Sequence, residues 1–62
     1  MVSTAMVEKA LAGIDYPADK SKMLQFAKER NASSEVLDVL NRMQDRQYTS
    51  AADLARGVGE VE

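Results

Sequence analysis

The chain has 62 residues, eight Lys plus Arg against ten Asp plus Glu, a formal charge of −2, and neither Cys nor His. That inventory excludes a disulfide framework, thiolate or imidazole metal ligands, a Cys or His nucleophile, and a general base whose ordinary pKa lies near neutrality. Of the 28 apolar residues behind the 45% hydrophobic content, nine are Ala. Met1, Val2 and Val61 sit where chain ends fray, so about 16 larger apolar side chains can build a core. A domain of this length buries only about 60% of the surface its unfolded chain exposes. One thin-cored domain is therefore expected over residues 1–62, its core within about 4–58 and residues 59–62 frayed. The acidic balance, with a pI near 5.0, draws the chain toward neither phosphate backbones nor anionic lipid. The opening MVSTAMVEKALAG lacks a basic flank and is interrupted by Glu8 and Lys9. It reads neither as a signal peptide nor as a membrane span, and the expected location is the cytoplasm.

Four segments show helical spacing and none the alternation of strands, so the fold class expected is all-α, a compact bundle of four short helices. In the first, Ser3 or Thr4 is placed to cap, Met6, Val7, Ala10 and Leu11 form the apolar stripe, and Gly13 suits the left-handed stop. Ile14 then folds back onto the core. Pro17 fits the first turn of a helix, so the second is expected to start at Pro17 or Ala18 and end at Asn31, which tolerates left-handed geometry. Its buried face is Met23, Leu24, Phe26 and Ala27. Ser33 or Ser34 caps the third helix, whose Val36, Leu37, Leu40 and Met43 recur at three- and four-residue intervals. Gln44–Gln47 reads as a polar turn and Tyr48 as a return to the core. Ser50 with Asp53 forms a capping box in which Asp replaces Glu. A short helix over about Ala51–Arg56 follows, stopped by Gly57 and Gly59.

Four constellations merit a functional reading. The second and third helices with their tight turn resemble a helix-turn-helix. However, the helix that would enter the groove begins Ser34-Glu35 and exposes Asp38, presenting carboxylates to phosphates. Lys20, Lys22, Lys28 and Arg30 make a locally basic stretch within an acidic chain and are the candidate partner-binding surface. Glu35 and Asp38 share a helical face. Two carboxylates nevertheless fall short of the roughly six oxygens a hard divalent ion takes, and no nucleophile with a matching base and no phosphate-cradling glycine loop accompanies them. Tyr16 and Tyr48 each precede a helix and are read as core anchors with their hydroxyls at the surface.

Gly13-Ile14-Asp15-Tyr16-Pro17-Ala18-Asp19-Lys20, then Leu24, Ala27, Asn31-Ala32 and Glu35-Val36-Leu37, and finally Asp45-Arg46-Gln47-Tyr48-Thr49-Ser50 follow in an order that resembles a small bacterial family catalogued only as a domain of unknown function. The resemblance spans about residues 7 to 58. Met43-Gln44 departs from the Leu-Pro of the family pattern, so either a looser turn before Tyr48 or a longer third helix is expected. The resemblance implies a compact helical fold in a bacterial cytoplasm and supplies no activity, cofactor or catalytic residue. The combined expectation is a non-enzymatic interaction or accessory module. It would have no cofactor, metal, membrane or small-molecule substrate, and would work through a protein partner or self-association. A nucleic-acid-associated regulator using the helix-turn-helix-like pair is the alternative.

Overall fold

A computed structural model describes residues 4–61. Met1, Val2, Ser3 and Glu62 fall outside it, and so do the expectations resting on them, among them Ser3 as a cap. The order is α1 (Thr4–Ala10), β1 (Ala18–Asp19), α2 (Lys20–Glu29), α3 (Ser34–Arg42), β2 (Gln47–Tyr48) and α4 (Ala51–Val61). The molecule is mostly helical, and α2 packs on α3, α1 on α4, and α3 on α4.

The expected absence of strands is overturned by a two-stranded antiparallel ribbon in which Ala18 faces Tyr48 and Asp19 faces Gln47. Two residues are too few to show alternation, and the pairing joins segments distant in sequence, so no local pattern announces it. The ribbon also shifts the start of α2. Ala18 and Asp19 are taken by strand pairing, so the helix begins at Lys20 and not at Pro17 or Ala18. Asp19 is its N-cap, with extended backbone and a carboxylate that accepts the Lys22 amide at 2.8 Å. The Tyr16–Pro17 peptide bond is cis.

Both expected left-handed stops are present, at Gly13 (φ 92°) and Asn31 (φ 58°). At Asn31 the Ala32 amide donates to Ala27 O at 3.0 Å and the Asn31 amide to Lys28 O at 3.1 Å, the paired bonds that close a helix around a left-handed residue. Ser33 caps α3, accepting the Val36 amide at 3.3 Å. Helix α3 ends at Arg42, with Met43 extended and buried, so the Met43-Gln44 departure does not lengthen it.

The larger correction concerns α4, which runs through Gly57 and Gly59 to Val61, so residues 59–61 are helical and not frayed. Gly57 is buried because the Tyr48 ring occupies the place of its side chain: a methyl there would lie 2.7 Å from Tyr48 Cε2 and 2.9 Å from Met43 Cε. Val58, fully buried, and half-buried Val61 continue the inward face beyond it.

Val7, Leu11, Met23, Val39, Leu40, Tyr48, Leu54 and Val58 form the fully buried centre. Val39, absent from the expected stripe, is among them. Leu24, Phe26 and Leu37 lie only half-buried at the edge of the core, and Met6 is 44% exposed.

Candidate functional site

Of the four candidate cations, the fold brings together only two. Lys22 Nζ donates to Asp15 O at 3.0 Å and an Arg30 guanidinium N–H donates to Ala12 O, so both lie along the α1–β1 connection. Lys20 turns the other way, its ammonium donating to Asn41 O in the last turn of α3. Lys28 is exposed. Arg30 also lies over the Phe26 ring, 5.3 Å from its centroid. The acceptors are all neutral carbonyls. Among the described residues none of the four cations forms an ion pair.

Two of those carbonyls, Ala12 O and Asn41 O, are where helices end. Arg30 serves the exit of α1, Lys20 the last turn of α3, and Arg42 Nη1 donates to Val61 O at 2.9 Å at the end of α4. A cation at a helix C-terminus satisfies carbonyls that lack an intrahelical donor and complements the helix dipole.

Sequence reasoning missed the most fully bonded polar cluster. Arg46, expected only as part of a polar turn, forms a two-point pair with Asp53: Nη1 to Oδ2 at 3.1 Å and Nη2 to Oδ1 at 3.3 Å. It also donates to Gln47 O at 3.0 Å and lies 4.0 Å from the Tyr48 ring centroid. Asp53 Oδ2 additionally accepts the Thr49 amide at 3.0 Å, while the Asp53 amide donates to Ser50 Oγ at 3.2 Å. The expected capping box is thus half made. Its return bond goes to the Thr49 amide, one residue before the cap Ser50. Arg46 at the entry to β2 and Asp53 in the first turn of α4 are seven residues apart, a spacing with no signature in either element.

The electrostatics follow from these bonds. The Asp53 carboxyl is held below the ordinary carboxylate range, first by the Arg46 hydrogen bond and then by the Thr49 amide. Arg46 is raised in turn, mainly by its bond to Asp53. Burial pushes the Tyr48 phenol up, with Arg46 opposing it, and its hydroxyl donates to Gln44 O at 2.8 Å. Tyr16, half-buried, is also raised, by burial and then by Glu8. With its fork on Asp53 and one face over the Tyr48 ring, the Arg46 guanidinium fastens β2 to α4.

Glu35 and Asp38 are exposed, and Asp38 pairs with Arg42 at 3.1 Å. Among the described residues no group of three or more acidic side chains converges on a metal position, and no pocket is found. The α2–α3 corner turns Glu35 and Asp38 outward from α3. Among the described residues no helix is long and apolar enough to cross a membrane.

Fold and site together define a small, mostly helical domain whose polar clusters fasten the ends of its own elements. Residues 2–55 match the family described as protein of unknown function (DUF2795), and the chain belongs to that family. Two of the segments carrying the earlier resemblance, Gly13–Lys20 and Asp45–Ser50, meet in the β1–β2 ribbon. No curated protein and no solved structure matches the chain.

Proposed function

We propose that the domain is a non-enzymatic interaction module of the bacterial cytoplasm whose contact surface lies on the outer side of α2, around Lys22, Lys28 and Arg30. The observation that carries this reading is the state of the α2 cations. Lys20, Lys22 and Arg30 rest on backbone carbonyls and not on carboxylates. A neutral acceptor orders a charged side chain without cancelling its charge. Residues 19–30 carry four cations and two carboxylates in a chain whose total is −2, so α2 offers fixed positive charge on an otherwise acidic molecule. Anchored side chains give up less rotamer freedom when a partner arrives. The bonded state of Arg46, Asp53 and Tyr48 supports the non-enzymatic part of the reading, since their polar atoms serve the fold.

The test is sedimentation velocity from about 10 to 500 μM combined with affinity capture from the native host. A stoichiometric co-purifying protein, or reversible self-association, is the expected result. A monomer at every concentration that captures nothing stoichiometric contradicts the proposal.

A further inference from the structure

We infer that the seam between α2 and the α1–β1 connection takes an extended acidic peptide of the form acidic-x-apolar-x-acidic, its two carboxylates on Lys22 and Arg30 and its apolar residue on Phe26. This rests on the interaction-module reading and names the partner's chemistry. Lys22, Phe26 and Arg30 succeed one another at four-residue intervals, which on a helix places them in one row with a rise of about 6 Å per step. In an extended strand, residues i, i+2 and i+4 point to one side with steps of about 6.6 Å. The two periods agree to within a fraction of an ångström per step, so a strand laid along α2 meets all three residues in register.

The row is held in place from both ends. Lys22 is tied to Asp15 O and Arg30 to Ala12 O, and the Arg30 guanidinium lies over Phe26. Phe26 is only half-buried, leaving apolar surface between two uncancelled charges. Among the neighbouring carboxylates, Asp19 is engaged as the α2 cap, while Asp15 and Glu29 stand exposed beside the row. These two select the partner. A duplex with its continuous line of phosphates sets more negative charge against exposed Asp15 and Glu29 than a peptide carrying only two carboxylates does.

The experiment is an amide NMR titration of the whole 62-residue chain with the peptide Gly-Ser-Glu-Ser-Leu-Ser-Glu-Ser-Gly and its twin carrying Gln for both Glu. The expected result is saturable shifts confined to residues 12–16 and 22–30 at millimolar peptide. Two exposed ion pairs together make about a threefold or greater difference in affinity between the peptides. The double variant Lys22→Gln, Arg30→Gln should lose the same factor, and Arg56→Gln, exposed on α4, should not. Because that double variant also frees the α1–β1 connection, the Gln peptide on the unaltered chain is the deciding comparison. Equal binding of the two peptides, shifts centred elsewhere, no shift at several millimolar, or the same shifts with a mixed 12-base-pair duplex at low salt would each overturn the inference. If the titration fails while capture returns a stoichiometric partner, only the seam assignment falls. If capture and sedimentation both fail, the module reading falls with it.

Discussion

Gly57 and Gly59 offer a matched pair of perturbations within one helix. Replacing a helical Gly by Ala contributes about 0.8–1 kcal/mol of helix propensity wherever the methyl is accommodated. At Gly59 nothing lies within 4 Å of the added carbon, so Gly59→Ala should stabilise the domain by about 0.5–1 kcal/mol. At Gly57 the same methyl falls 2.7 Å from Tyr48 Cε2 and 2.9 Å from Met43 Cε. The Met43 methyl is the end of a flexible chain and can move aside. The Tyr48 ring cannot easily do so, being fully buried, overlain by Arg46 at 4.0 Å and tied through its hydroxyl to Gln44 O. Overpacking of this kind costs about 1–3 kcal/mol, which after the propensity gain of about 0.8–1 kcal/mol leaves Gly57→Ala destabilising by up to about 2 kcal/mol. Urea and thermal unfolding should place the two variants on opposite sides of the parent, each 1 kcal/mol moving Tm by about 4–8 °C in a domain of this size. Equal stabilisation by both would show that Tyr48 does not pack against α4 as described.

The remaining predictions use the same assays. Leu40 is fully buried and Leu37 only half-buried, so Leu40→Ala should cost about 2–5 kcal/mol and Leu37→Ala distinctly less; equal losses would refute the placement of α3. Asn31→Ala puts a β-carbon into left-handed backbone at φ 58° and should destabilise by about 1–2 kcal/mol, while Asn31→Gly should be tolerated. Asp53 is depressed by Arg46 and Thr49, so its contribution is complete above the ordinary carboxylate value of about 3.9 and is lost as pH falls through its own lower value. Asp53→Asn should flatten that acid branch of a Tm-against-pH curve, and an unchanged slope would count against the pairing. Tyr48 moves the other way: raised by burial, it contributes stability that is complete below about pH 10 and lost above it. Tyr48→Phe should flatten that alkaline branch of the same curve, leaving the share of Tyr16, which is also raised, and a branch left as steep as the parent's would refute the attribution.

Much of the helical layout is legible in the sequence because it rests on local rules. Val7, Leu11, Met23, Ala27, Val36 and Leu40 recur at helical spacing, and Gly13, Asn31 and Ser33 mark stops and a cap that depend on neighbouring backbone alone. The rest is set by contacts between distant residues. The β1–β2 ribbon joins Ala18 to Tyr48, and its pairing decides where α2 begins. Gly57 reads as a helix stop until the Tyr48 ring is seen against it, since the same residue that weakens a helix admits a close neighbour. The basic stretch is visible as composition, but its division into the Lys22–Arg30 row, Lys20 at the end of α3, and outward Lys28 depends on which carbonyls the fold brings within reach. Arg46 and Asp53 were legible singly, one in a turn and one in a cap, and their pairing only through the packing of β2 on α4.

The central claim is that the outer side of α2 is the surface the domain presents to its partner. Hydrogen exchange of the chain, alone and bound to the protein that co-purifies with it, tests this most directly. The account predicts added protection over residues 20–30 and along the 12–15 connection, with the Arg46–Asp53 junction unchanged. Protection centred on β2 and the start of α4, with α2 exchanging as in the isolated chain, would contradict it.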